Sequence, residues 1–346
     1  MAVPVVTIRD VARDAGVAVS TVSRALNGSA PASEAIRQRV MEAAQRLGYQ
    51  PNATARNLRH SRTMTVGVVV PDLANPVYLQ WLRGAEHCLQ AADFSLLICD
   101  GQGSWTLIGA HLARLYERRV DGLLVAGPVP FIQLRPFFRA GIPVEPDPRL
   151  LPRRTTPRTA MEEAATLEAY RSLVDFGHRR IAFVTNPARA GDRAAALYGA
   201  RVERLHFVAR QAGFALNPEH LVRAEPEELK AIVRQIAATP NPPTAYVAGA
   251  HRLVAPLVSA IHDAGLRMPE DVSFLSFGDS DWASAHRPQL SVIRHDYYGE
   301  ASQIAEHLLA RIADGSDASE SASAPSEFIQ RESIAVAAKG APTVGV

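Results

Sequence analysis

The sequence predicts a small all-α helix-turn-helix head followed by a large α/β core of two doubly wound lobes. Three observations carry this. The first fifty residues hold three stretches of helical periodicity and no strand-like run. From residue 63 onward, short apolar runs alternate with helix-length amphipathic segments, and that alternation occurs in two successive series. At 346 residues and 47% apolar content the chain exceeds a single small module and can bury a sizeable core.

In VTIRDVARDA, Ile8, Val11, Ala12 and Ala15 fall at i, i+3, i+4 and i+7 behind Thr7, a residue suited to capping a helix. Gly16 breaks that helix. In GVAVSTVSRALNG, Ala18, Val22, Ala25 and Leu26 can share a buried face, leaving Val19, Ser20, Thr21, Ser23 and Arg24 outward, with Asn27-Gly28 as the stop. A third helix follows Ser33, with Ile36, Val40, Ala43, Ala44 and Leu47 as its apolar stripe and Gly48 as its end. Two short helices meeting at a glycine-containing turn beside a third form a helix-turn-helix module.

The outward face of the second helix suits a DNA groove. The Thr21 and Ser23 hydroxyls can bond phosphate oxygens, Arg24 can fork onto a guanine edge, and Val19 can pack on a thymine methyl. A generic three-helix packing unit competes with this reading, and charge weighs against it. Residues 1–62 carry nine arginines and no lysine against two aspartates and two glutamates, an excess of +5 that leaves −3 for the rest of a chain of net charge +2. After Gly48, PNATARNLRHSR is too short and polar to hold as an isolated helix, which needs roughly 12–15 residues. Folding on a partner suits it.

Past this segment, TVGVVV, FSLLIC, GLLVAG and IPV read as strands separated by helices beginning near Pro76, Ser104 and Phe131. A helix from Met161 to Phe176 leads into a second series, RIAFVT, HLVRA, TAYVAG and DVSFLSF, with helices around 193–212, 226–238 and 251–264. The strand LSVIRHD and a helix from Tyr297 to Ala313 are expected to return to the first lobe, and FIQRESIAV to the second. The resulting division is a head over 1–50, a linker over 51–62, a first lobe over about 63–160 and 293–322, and a second over about 161–292 and 323–340. DGSDASESASAPSE and the tail after Ala338 read as low-complexity connections.

No basic n-region with a long apolar run opens the chain, and nowhere do 18 consecutive apolar residues occur, so a cytoplasmic protein without membrane contact is expected. Cys88 and Cys99 read as core residues, since their spacing matches no disulfide or metal motif.

TIRDVARDAGVAVSTVSRALNG, RLGYQPNATARNLR, TVGVVVPDLANP, RRVDGLLV, FGHRRIAFV and MPEDVSFLSFG resemble, in order and spacing, the LacI family of bacterial transcription regulators over almost the whole chain. The resemblance implies a core of two lobes of the periplasmic-binding-protein type (type I) with a cleft at the carboxyl ends of the strands. It also implies a homodimer on near-palindromic double-stranded operator DNA, a small-molecule effector, and no enzymatic activity, metal or cofactor. It assigns base reading to Val19, Ser20 and Arg24 and phosphate contacts to Thr21 and Ser23, with Thr7, Asn27 and Asn52 completing the head's contacts. Residues 51–62 become a hinge helix in which Ala55 permits close pairing, Arg56 faces phosphate and Leu58 wedges into a minor-groove step. Ala18 departs from the family's usual serine, losing a cap typically worth about 1 kcal/mol.

The cleft departs further. Family carboxylates are replaced by Met161-Glu162, Ala250-His251 and Gly278-Asp279, so Asp279 alone survives as an aligned acid. Arg201 falls on the family's ligand-binding arginine, Arg204 replaces a usual glycine, Asn75 and Tyr78 match the ligand loop of the first lobe, and Trp282 lies near in sequence. Fewer acids around Arg201 and His251 favour an anionic effector, such as a sugar acid or phosphorylated sugar, over a neutral sugar. A pocket without an effector is the alternative. FGDSDW also resembles the nucleophile block of GDSL-type hydrolases, with Ser280 as nucleophile and Asp175 and His178 as nominal acid and base. Their chain order is reversed from that family's.

Overall fold

The computed structural model describes residues 6–27, 33–49, 62–127, 129–146, 157–187, 194–315 and 325–338, and within them not the side chains of 27, 157–161 and 194–197. Asn52, Ala55, Arg56 and Leu58 lie outside the described residues. The chain forms two units, Met1–Thr63 and Met64–Val346.

In the first unit, α1 (Ile8–Ala15), α2 (Val19–Asn27) and α3 (Glu34–Leu47) bury Val11, Val22, Ala25, Val40 and Ala43 in one small core. Gly16 and Gly48 end α1 and α3 in the left-handed conformation, at φ 62° and 63°, which a side chain would disfavour. Arg46 on α3 reaches Asp14 on α1 at 2.6 Å. One expected core position is corrected. Ala18 is exposed, and Val17 packs on the core instead. Ala18 precedes the first turn of α2, where its carbonyl accepts from the backbone N–H of Thr21 and Val22, so its methyl lies off the helix's inner stripe.

The second unit opens with β1 (Thr65–Val70), α4 (Pro76–Ala91), β2 (Ser95–Asp100), α5 (Trp105–Glu117), β3 (Gly122–Val125), α6 (Phe131–Arg139) and β4 (Val144–Pro146). The chain continues through α7 (Pro157–Asp175), β5 (Ile181–Thr185), α8 (Ala194–Gln211), β6 (Leu221–Arg223), α9 (Leu229–Ala237), β7 (Ala245–Ala248), α10 (Val254–Asp263), β8 (Ser273–Phe277), α11 (Asp281–Ala285) and β9 (Ser291–His295). It closes with α12 (Tyr297–Asp314) and β10 (Ser326–Ile329).

The first sheet is parallel in the order β2-β1-β3-β4. Apolar residues of α4 and α12 cover one face and those of α5 and α6 the other, which explains why β1 reads as the unbroken run TVGVVV. The second sheet runs β10-β9-β8-β7-β5-β6, parallel except for the β9–β10 pair. Here a second expectation is corrected. The strand Ser291–His295 stays in the second sheet, with Val292 registered against Ser276, and only α12 returns to pack on α4 of the first lobe. Ser291, Val292 and Ile293 are buried between β8 and β10, and the crossing falls at Asp296, whose carboxylate caps α12 by accepting from the N–H of Gly299 at 2.8 Å.

Candidate functional site

In the head, burying Val22 and Ala25, with Leu26 half-buried on the same core, turns the opposite side of α2 outward. Val19 is 41% exposed, Ser20 and Arg24 are exposed, and Thr21 and Ser23 are half-buried along the edge of the same face. Five of the residues expected to read DNA thus share one helix face. Thr7 is engaged locally, since its hydroxyl and backbone N–H both donate to Asp10 Oδ2, at 2.6 and 2.9 Å, bonds that hold the Asp10 carboxyl below its ordinary range. Asn27 ends α2, and its side chain lies outside the description.

In the core, the carboxyl edges of the two sheets approach where α4, starting just after β1, meets the turn His251–Leu253 that follows β7. Asn75 caps α4 by accepting from Val77 N–H at 3.3 Å, and Tyr78 packs one turn further against the first lobe's core, its hydroxyl beside Gly127 at the end of β3. On the second lobe, Arg201, Glu162, His251, Gly278 and Asp279 converge. Arg201 is 6% exposed. Its Nε and Nη2 donate to Glu162 Oε1 at 3.2 and 2.9 Å, Nη1 donates to the Gly249 carbonyl at 2.8 Å, and the guanidinium lies 3.9 Å above the Phe277 ring. Asp279 is likewise matched: Arg331, just after β10, makes a two-pronged bond to its oxygens at 3.0 and 2.7 Å.

These pairs remove the charge reasoning for an anion. Arg201 is not an open receptor for an anion, because Glu162 already occupies it. Arg204 faces Glu163 at 3.3 Å. His251 is the third part of that reasoning. Burial pushes its imidazole below the ordinary value, against the opposing pull of Asp279, so the ring is neutral at pH 7. The two departures at 251 and 278 also belong together. Gly278 has φ 96°, and a Cβ there would lie 2.1 Å from His251 Nδ1, so the missing side chain is what makes room for the imidazole.

Sequence reasoning missed Glu162 and Arg331 as charge partners, and Thr185 and Asn186 altogether. The Thr185 hydroxyl, the Asn186 amide and His251 Nδ1 are buried without a hydrogen-bond partner among the described residues. Asn186 follows β5, beside β7, where Val184 O accepts from Gly249 N–H at 2.7 Å. The cleft edge of the second lobe therefore offers neutral donors and acceptors flanked by saturated ion pairs. Trp282, half-buried at the start of α11, packs on the second lobe's core and makes a T-shaped contact with His286.

The hydrolase constellation is not assembled. His178 precedes β5 and bonds Ser273 at the start of β8, whereas Ser280 follows the end of that five-residue strand, roughly 15 Å or more away at about 3.3 Å per residue. Both His178 nitrogens are already engaged, by Thr244 and by Ser273 and the Ala335 carbonyl. No helix among the described residues is long and apolar enough to cross a membrane.

Residues 7–52 match the model of bacterial regulatory proteins of the lacI family, and residues 170–334 match the periplasmic binding protein-like domain. The HTH-type transcriptional repressor PurR of Aliivibrio fischeri is 30% identical over 320 residues, 89% of this chain and 92% of that protein. The fold is similar to that of the Lac repressor dimer bound to operator and the anti-inducer ONPF, with TM-score 0.78 and 21% identity over 95% of this chain and 99% of that one. It is also similar to the transcriptional regulator CelR in complex with cellobiose, with TM-score 0.62 and 25% identity over 95% and 99%. The helix-turn-helix head, the two α/β lobes and these matches agree: the chain belongs to the LacI family, as a non-enzymatic transcriptional regulator with a DNA-binding head and a periplasmic-binding-protein-like effector core.

Proposed function

We propose that this protein is a dimeric repressor that reads a near-palindromic operator with α2 and is switched by an uncharged, hydrogen-bonding effector in the interlobe cleft. The observation that carries the DNA reading is the single outward face of Val19, Ser20 and Arg24 on a helix whose other side is buried. Two such heads hold two half-sites, and the effector acts by favouring one lobe arrangement over another. The dimer contact is assigned to the first lobe, where Leu73, Leu79 and Ile98 are 39%, 60% and 46% exposed beside the open edge of β2. Leu58, as the minor-groove wedge, and Asn52, Ala55 and Arg56 are carried forward from the sequence as parts of this reading.

Arg24→Ala is expected to weaken binding to the operator, selected by sequencing the DNA the purified protein retains, by roughly 5–150-fold, the equivalent of 1–3 kcal/mol for one lost guanine fork. Binding to random DNA should change little. Unchanged operator binding would sink the groove assignment.

The effector class follows from the closed pairs Arg201–Glu162 and Arg331–Asp279 and from the buried neutral groups of Thr185, Asn186 and His251 that lack a partner among the described residues. A thermal-shift screen of neutral sugars, nucleobases, sugar acids and sugar phosphates is expected to yield its stabilising compounds among the neutral ones. A sugar acid or sugar phosphate that stabilises the wild type and not Arg201→Ala would restore the anionic reading.

A further inference from the structure

Helix α6 carries apolar residues on two sides where a surface helix needs one. Leu134 and Phe137 face the sheet, 5% and 1% exposed. Phe131, Ile132 and Phe138 face solvent, 64%, 62% and 42% exposed. Helical spacing puts Phe131, Arg135 and Phe138 at i, i+4 and i+7 on one line, with Ile132 and Arg139 on the line beside it. The Phe131 and Phe138 rings stack, with centroids 5.2 Å apart and planes at 25°, into one aromatic plate. Single exposed apolar side chains are ordinary. Three large ones on a nine-residue helix form the kind of patch that marks a contact surface.

Charge decides what fits there. Arg135 and Arg139 are exposed and form no ion pair with a carboxylate among the described residues. The neighbouring end of α5 meets α6 through Tyr116, whose ring lies 5.7 Å from that of Phe137 at 78° to it. Pairing this face with itself in a second copy would gather Arg135 and Arg139 of both copies into one contact, where only like charges meet and repulsion opposes it. The face also lies on the opposite side of the first sheet from α4, away from the surface assigned to the dimer.

We propose that the outer face of α6 docks a partner protein through an acidic amphipathic segment, whose apolar side chains seat on Phe131, Ile132 and Phe138 and whose carboxylates pair with Arg135 and Arg139. This surface is independent of the cleft and of its effector.

The test uses the full chain and two fluorescein-labelled helical peptides of about 16 residues, long enough to hold an amphipathic face. Both carry leucine and phenylalanine on one face, with glutamate on the other face of the first and lysine on that of the second. In fluorescence anisotropy, the glutamate peptide is expected to bind roughly tenfold or more tightly than the lysine peptide, an advantage that shrinks with added salt. Ile132→Ser and Arg139→Glu should each remove roughly tenfold or more of that affinity while leaving melting temperature and operator binding unchanged, because both residues are exposed. Equal binding of the two peptides, or binding indifferent to these substitutions, would overturn the proposal. Two other outcomes would also overturn it: α6-dependent sedimentation with phosphatidylglycerol vesicles would mark a membrane surface, and a smaller assembly on Ile132→Ser would mark a contact between copies.

Discussion

Glu162→Ala is expected to cost the core about 3–5 kcal/mol, because it strips the counter-charge from a guanidinium held in the interior. The side chains of Arg201 and Glu162 are 8% and 13% exposed, so water cannot take over the role of the carboxylate. Arg201 would keep its bond to the Gly249 carbonyl and its stack on Phe277, which meet its hydrogen-bonding needs in part and its charge hardly at all. Urea unfolding monitored by circular dichroism gives the loss. Glu162→Ala with Arg201→Met should recover most of it, since replacing both members of a buried pair with apolar groups is often neutral or stabilising. The single variant should also gain a property: sulfate or a sugar acid, inert toward the wild type, should raise its melting temperature by occupying the vacated place. A loss below about 1 kcal/mol, the scale of an exposed pair, would mean that Arg201 does not depend on Glu162.

This pair also marks the limit of what is legible in the sequence. The head could be read because each helix declares its buried stripe through local spacing, and the strands because β1, β5 and β8 are covered on both faces and so run apolar without interruption. Ser291–His295 could be read as a strand but not placed, because its pattern does not say which sheet edge receives it. Charge partners are a different kind of information. Arg201 and Glu162 stand 39 positions apart, and Arg331 and Asp279 stand 52 apart, so no local spacing joins them. Counting acids near Arg201 suggested an open cation, whereas the fold had already matched it. One signal was available: an arginine following the strand-like FIQ, in a segment otherwise suited to burial, implies a carboxylate within reach.

The stability of the core is expected to fall by roughly 3 kcal/mol between about pH 6.5 and pH 4 through His178 alone. Burial is the leading cause. His178 is 1% exposed, and loss of hydration pushes its imidazole down to about 4 from an ordinary 6.5, with Arg179 and Arg180 adding to the effect and the bond to the Ala335 carbonyl opposing it. The ring is held neutral: Nε2 donates to that carbonyl at 3.0 Å, leaving Nδ1 to accept from the Thr244 hydroxyl at 2.9 Å. With the folded value below the unfolded one, the unfolded chain binds the extra proton first. The contribution is therefore complete above pH 6.5 and drains away as pH falls toward 4. His178 ties the start of β5 to Thr244 before β7, to Ser273 on β8 and to the segment after β10, so charging it loosens the amino-terminal edge of the second sheet. Burial also depresses His220, His251 and His262, which slope the same way, so the measurement is a difference. Unfolding free energies of wild type and His178→Gln should lie furthest apart above pH 6.5 and converge by about pH 4. Parallel profiles would show that His178 titrates alike in the folded and unfolded chain, and an imidazole resonance titrating near 6.5 in the native protein would show it directly.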